Sequence, residues 1–201
     1  MIDDIVFIVD DDPGICDSLR LLLEITGFKA LSFGSAEAFL ADSSIKQGCL
    51  ITDVHMPGMS GLDLLEEVAS RQFNLAVIVM TGQADIPLAV RAMKAGAIDF
   101  LEKPFDGMRL TESVRRALEL GKTPPSPKEE GRTARKLLTY LSSRERLVLD
   151  RLVEGHPHKA VAEDLGISPR TVEVHRAHIM LKMYASNLAD LVRAVMVAQN
   201  I

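Results

Sequence analysis

Carboxylates are the residues of this chain best placed to do chemistry. Asp10, Asp11 and Asp12 stand in a row after one apolar run, Asp53 closes another, Thr81 a third, and Lys103 follows a fourth. Carboxylates gathered in one place repel, and each stays ionised only beside a cation. Mg²⁺ suits such a group, because it takes few carboxylates and keeps waters for phosphate oxygens. A carboxylate facing a phosphoryl donor is a nucleophile. A lysine and the metal would offset charge on the transferring group, and a threonine hydroxyl would hydrogen-bond its oxygens. The competing reading makes Asp10–Asp12 solvated loop charges with a helix cap. Against it stands the placement of each of these residues at the end of a separate apolar run.

For those side chains to meet, the apolar runs must be strands of one sheet. Ile5–Val9 is β-branched and aromatic, and Asp12-Pro13 after it forms an N-cap and first helical residue. Ile15, Leu19, Leu22 and Leu23 then recur at helical spacing up to Gly27. The same alternation predicts strands over 29–32, 49–52, 76–80 and 98–101. It predicts helices over 35–41, from Ser60, over 85–95 and over 106–120. Five β/α units in a row imply an α/β domain whose parallel sheet has right-handed crossovers and helices on both faces. Ligands of such sheets sit beyond the carboxyl ends of the strands, where Asp10, Asp53, Thr81 and Lys103 fall.

Cys16 and Cys49 lie far apart in the sequence and read as small buried hydrophobes of a reducing compartment, not as a disulfide framework. No apolar run approaches the roughly 18–20 residues of a membrane span. The start MIDDIVFIVDDD lacks the basic opening and cleavage site of a secretory signal. The expectation is a cytoplasmic protein with no membrane partner. The net charge of −5 is unevenly spread: residues 1–120 hold 10 basic against 19 acidic residues, and residues 132–201 hold 11 against 7. An acidic front with a basic back fits a regulatory domain carrying a nucleic-acid-binding one, though a solvated basic surface has the same composition. Between them, residues 121–136, with Pro124, Pro125, Pro127, Glu129 and Glu130, read as a linker that contributes no core residues.

Beyond the linker the pattern is helical only. A helix containing Leu147, Leu149, Leu152 and Val153 ends at Gly155. A short helix over 159–165 is followed by the turn Gly166-Ile167-Ser168-Pro169, a helix over 170–183 and a last one over 188–198. The middle pair has helix-turn-helix proportions. Val172, Ile179 and Met183 form a core stripe on the second of them. Arg170, Thr171, Glu173, His175, Arg176, His178 and Lys182 occupy its other faces. A recognition helix needs that combination, and a plain four-helix bundle with a solvated face shows it too.

Taken together, several segments resemble the receiver domains of two-component systems over about residues 4–120. They are Val9-Asp10-Asp11, Thr52 through Gly61, Met80-Thr81-Gly82, Met93 through Phe100, and Lys103-Pro104-Phe105. The resemblance implies a doubly wound five-stranded sheet of order 2-1-3-4-5 and Asp53 as phospho-acceptor. It also implies Mg²⁺ held by Asp10, Asp11, Asp53 and the backbone carbonyl of His55. Lys103 becomes the phosphate-contacting lysine, Thr81 and Phe100 a switch pair, and the Lys103–Pro104 bond cis. The His55 side chain has two readings: a tuner of phosphoryl lifetime at the site mouth, or an ordinary exposed loop residue.

Leu141 through Arg146, Gly155, and Ile167 through Arg176 in turn resemble the LuxR-type DNA-binding domain, placed over residues 137–201. As a whole the chain is similar to response regulators of the FixJ/NarL type, the FixJ branch most closely. The match implies that Glu173, Val174 and Ala177 read base edges, with Thr171 beside them. It implies that Arg170, His175, Arg176 and Lys182 hold phosphates. Glu173 either accepts from cytosine N4 or is a surface charge away from the DNA. The implied function is a transcriptional regulator, not an enzyme, activated when a sensor histidine kinase phosphorylates Asp53. The face built by segments 85–95, 98–101 and 106–120 would then form a homodimer, relieve inhibition of the helix-turn-helix and set two recognition helices on promoter DNA. RNA polymerase is a further partner if the protein activates. Two rivals remain: a phosphatase with an aspartyl-phosphate intermediate, for which residue 55 is not the needed Asp, and a DNA-binding protein that ignores phosphorylation.

Overall fold

A computed structural model describes residues 5–42, 45, 47–82, 86–122 and 127–199. By contacts the chain divides into two units, residues 1–84 with 94–124, and residues 85–93 with 125–201. Asp85, expected to open a helix, and Pro124 and Pro125 lie outside the described residues.

The N-terminal part alternates β1 (Ile5–Val9), α1 (Pro13–Ile25), β2 (Lys29–Phe33), α2 (Ala36–Ala41), β3 (Gln47–Asp53), α3 (Gly61–Ser70), β4 (Asn74–Thr81), α4 (Ile86–Lys94), β5 (Asp99–Glu102) and α5 (Gly107–Lys122). All strand pairs are parallel and the order is β2-β1-β3-β4-β5, as expected. Strand alternation supplies two cores. On one face Val6, Ile8, Cys49, Ile51, Ile78, Met80 and Leu101 pack with Leu19 and Leu23 of α1 and with Leu110 and Val114 of α5. Among the residues of opposite parity, Phe7, Phe33 and Phe39 form an aromatic trio with ring centroids 5.4–6.4 Å apart. Both cysteines are buried and free.

Register aligns the carboxyl ends of the strands. Val9 lies opposite both Phe33 and Thr52, Asp53 opposite Met80, and Thr81 opposite Glu102. The helices start where side chains satisfy their free N–H groups: Asp12 accepts from the amides of Gly14 and Ile15, and Ser60 forms a reciprocal capping box with Asp63. A buried Asp99 ties β5 to α5, accepting from Arg109 Nη2 at 2.9 Å and Ser113 Oγ at 2.6 Å. A buried carboxylate is tolerable only with such partners.

The C-terminal part is helical: α6 (Pro127–Leu138), α7 (Ser143–Val153), α8 (His158–Leu165), α9 (Pro169–Lys182) and α10 (Leu188–Gln199). Gly166, at φ 63°, ends α8 in the left-handed conformation that glycine adopts without strain, and Ser168 with Pro169 opens α9. Val172, Ile179 and Met183 are buried, as their spacing predicts. The stretch expected as a linker differs. Most of it is α6, and α6 packs on α10. Ala134 and Leu138 are buried there, and a Cβ on Gly131 would lie 2.8 Å from the Val197 carbonyl. Arg135 Nη1 donates to Ala198 O at 2.9 Å, satisfying the open end of α10. Residues 127–136 therefore do contribute to a core, contrary to the expectation.

Gly61 sits against the main chain of Asp53. A methyl group on it would collide with the Asp53 carbonyl and lie 2.9 Å from Thr52 Oγ1. Gly61→Ala is expected to destabilise the N-terminal domain by about 1–3 kcal/mol, read as a lower urea midpoint. An unchanged midpoint would show that the loop yields freely.

Candidate functional site

The rim at the ends of β1, β3, β4 and β5 gathers Asp10, Asp53, Thr81 and Lys103. Asp10 and Asp53 are 2% and 6% exposed, and Thr81 has no exposed surface. Lys103 reaches this point because its amide donates to Thr81 O at 2.7 Å, continuing the β4–β5 ladder, and its peptide bond to Pro104 is cis. Its ammonium donates to Asp10 Oδ2 at 2.7 Å and to Asp53 Oδ1 at 2.6 Å. Burial alone would lower the lysine's pKa, but the hydrogen bonds and charges of Asp10 and Asp53 outweigh it, so the net shift is upward.

The other oxygen of Asp53 accepts from the His55 amide at 2.5 Å. The nucleophile candidate is thus fixed at both ends, one by a charge and one by the main chain. Asp10 Oδ1 accepts from the Asp12 amide at 2.9 Å. Asp11, expected as a metal ligand, and Asp12, the cap of α1, are exposed. Among the described residues no group of three His, Cys, Asp or Glu side chains is arranged to hold a metal. Lys103 stands between the two buried carboxylates. Those two are hard oxygen donors close enough to share one cation, which is the donor chemistry Mg²⁺ prefers.

Phe100 is buried in β5. The His55 side chain is exposed, as one expectation held, yet its Nδ1 lies 3.3 Å from Thr81 Oγ1. Sequence reasoning passed over Glu37 on α2, whose Oε1 accepts from the Met59 amide at 3.0 Å and steadies the loop that follows Asp53. Hydrogen bonds from main-chain amides and from Ser35 hold its carboxyl below the usual range. Cys16, buried as expected, also donates its thiol to Asp10 O at 3.4 Å, a contact its burial alone did not foretell.

In the helical part, Arg170, Glu173, Val174, Ala177 and His178 are exposed on α9, and Thr171 Oγ1 lies 2.8 Å from Ser168 Oγ in the cap. His175 and Arg176 are half-buried. His175 Nδ1, Arg176 Nε and His158 Nε2 are buried without a hydrogen-bond partner among the described residues. Burial, then the charge of Arg176, lowers the pKa of His158. Lys182, expected on a phosphate, donates to Glu145 Oε2 at 2.7 Å. Glu145 is buried in the first turn of α7, where it also accepts from the Ser142 amide and hydroxyl. The signal for Glu145 was present as the capping-box pattern Ser142-x-x-Glu145. Arg144 donates to the Leu165 carbonyl and closes α8 against α7.

The Lys182 hydrogen bond holds the Glu145 pKa at about 2, down from 4.5, against the opposing effect of burial. A carboxyl depressed on folding contributes stability above its unfolded pKa and loses it as pH falls through the folded one. Lys182→Met should therefore cost about 1–2 kcal/mol near neutral pH, the lysine being partly in solvent. That cost should shrink between pH 4.5 and about 2. Calorimetric unfolding across pH checks it, and a cost independent of pH would refute the pairing.

Comparison with known proteins agrees with both halves. Residues 6–115 match the response regulator receiver domain family, and residues 139–195 match the luxR family of bacterial regulatory proteins. The chain is 50% identical to the transcriptional regulatory protein FixJ of Azorhizobium caulinodans, covering 96% of this chain and 92% of that one. It is 46% identical to FixJ of Rhizobium meliloti, covering 96% and 95%. Full-length FixJ from B. japonicum superposes over 100% of both chains with a TM-score of 0.58 at 40% identity. No helix among the described residues is long and apolar enough to cross a membrane. The chain belongs to the FixJ-type response regulators, DNA-binding transcription factors controlled by a phosphorylated receiver domain and served by a cognate histidine kinase.

Proposed function

We propose that Asp53 is the phospho-acceptor and that its phosphorylation drives the protein to dimerise on promoter DNA. The observation that carries this reading is the convergence of one ammonium on two buried carboxylates, 2.6 and 2.7 Å away. A carboxylate oxygen of Asp53 attacks the phosphorus of a phosphohistidine donor. The new O–P bond forms as the P–N bond breaks, and the donor imidazole leaves. Asp10, Asp11, Asp53 and the His55 backbone carbonyl would hold Mg²⁺, which supplies positive charge to the phosphoryl oxygens when bound. Lys103 shifts its hydrogen bonds from the carboxylate toward the phosphoryl group, offsetting charge where it develops. Thr81 donates its hydroxyl to a phosphoryl oxygen, and Phe100, on the neighbouring strand, follows. The acyl phosphate then slowly hydrolyses.

Movement of this pair remodels the face formed by segments 85–95, 98–101 and 106–120, which then pairs with a second copy and relieves inhibition of the helix-turn-helix. Going from mostly off to mostly on takes roughly 5 kcal/mol of differential binding, within reach of a phosphoryl group, a divalent ion and a dimer interface together. On DNA, α9 enters the major groove. Glu173, Val174 and Ala177 face base edges. Thr171 lies beside them, and Arg170, His175 and Arg176 meet phosphates. An ammonium has three donors, so Lys182 meets a phosphate while keeping Glu145. RNA polymerase is a further partner where the bound promoter is activated.

Asp53→Asn is expected to abolish the phosphate-affinity gel shift produced by acetyl phosphate, along with phosphate-dependent dimerisation by light scattering. A retained shift would move the acceptor elsewhere. Arg176→Ala should weaken binding similarly across DNA sequences and reduce the slope of log affinity against log salt by about 1. An unchanged slope would take Arg176 off the backbone.

A further inference from the structure

Helix α2 stands beside the loop that leads from Asp53 to α3. Its inner face is rooted in the core: Ala36 and Phe39 have no exposed surface, and the Phe39 ring meets those of Phe7 and Phe33. From its outer face Glu37 reaches the loop, where Oε1 accepts from the Met59 amide at 3.0 Å. Glu37 is exposed, yet its carboxylate is held in place. It also accepts from its own main-chain N–H and from the hydroxyl of Ser35, the residue that caps α2. The loop in turn makes room for it. Gly58 has φ 77°, and a Cβ there would lie 2.8 Å from Glu37 Oε1, so glycine suits both the turn and the close approach. Pro57 has no N–H to offer, and Met59 supplies the donor.

We propose that Glu37 is a positioning residue of the cation site: by gripping the Met59 main chain it keeps the preceding turn, and with it the His55 carbonyl, in the conformation that takes Mg²⁺. This rests on the reading that Asp10, Asp11, Asp53 and that carbonyl hold the ion. A main-chain ligand has no side chain to aim it, so its place depends on what fixes the chain on either side. Before it, the His55 N–H donates to Asp53 Oδ2 at 2.5 Å. Beyond it, Met56 is buried and the Gly61 N–H closes the loop on the Val54 carbonyl at 3.1 Å. Glu37 holds the stretch between these anchors from a separate element. It touches neither the ion nor the phosphoryl group, and acts on both through the loop.

The test uses the full chain, with Mg²⁺ titrated calorimetrically and hydrogen exchange followed on peptides spanning residues 55–60. Glu37→Ala removes the acceptor. Glu37→Gln keeps an oxygen at the same reach without the charge. Glu37→Ala should bind Mg²⁺ about 3- to 10-fold more weakly than wild type, the effect of losing one hydrogen bond, and should exchange faster over 55–60 in the absence of the ion. Glu37→Gln should stay within about twofold of wild type in both measurements, because the hydrogen bond is retained. Wild-type Mg²⁺ affinity or wild-type exchange in Glu37→Ala overturns the proposal. So does Glu37→Gln binding as weakly as Glu37→Ala, which would make the effect one of distant charge. A wild type that takes up no Mg²⁺ would instead overturn the cation site itself, whatever the exchange shows of the loop.

Discussion

A single ammonium between two carboxylates holds the receiver site together. Asp10 and Asp53 are almost wholly removed from solvent, and two such charges side by side would repel or take up protons. Lys103 prevents this by donating to both. The arrangement is possible only if β1, β3 and β5 end at the same level, and the register along the sheet brings this about. The close seat of Gly61 under the Asp53 carbonyl, the cap at Asp12 and the grip of Glu37 on the Met59 amide are all ways of keeping those ends fixed. In the proposed reaction the Lys103 cation would leave the two carboxylates for a phosphoryl group, and the observed pairing is its resting state. It keeps the Asp53 carboxylate oriented.

The same device recurs at the other buried acids among the described residues. Asp99 is held by Arg109 and Ser113, and Glu145 by Lys182 and the cap of α7. In each case a long cationic side chain crosses from another element to an acid buried near the start of a strand or helix. Such pairs give little net stability once desolvation is counted, but breaking one leaves a buried charge alone. They therefore penalise misregistered packings more than they reward the native one. In the helical unit this matters for reading DNA, because Lys182 and Glu145 fix the far end of α9 against α7 while Arg144 closes α8.

The strand ends were legible because the chemistry and the topology share an address. Each of Asp10, Asp53, Thr81 and Lys103 closes an apolar run, and a parallel sheet brings those ends together without further information. The helix-turn-helix was legible for a similar reason, since Gly166, Ser168 and Pro169 are local turn and cap residues. What stayed hidden were pairings between distant positions: Lys182 with Glu145, Glu37 with Met59 and His55 with Thr81. No periodicity encodes them. Helix α6 was missed for a different reason. Its prolines and glutamates suggest a linker, and they outweighed a stripe at helical spacing, Gly131, Ala134 and Leu138, that faces α10.

That stripe bears on how the C-terminal half can be handled in isolation. An excised fragment begun at residue 137, the expected start of the DNA-binding domain, would strip the guanidinium of Arg135 from the Ala198 carbonyl of α10. It would also uncover the flank against which Gly131 and Ala134 lie. A fragment begun at residue 127 carries its own covering helix. The packed helical bundle extends beyond the recognisable segment, and the extra turns are scaffold rather than tether.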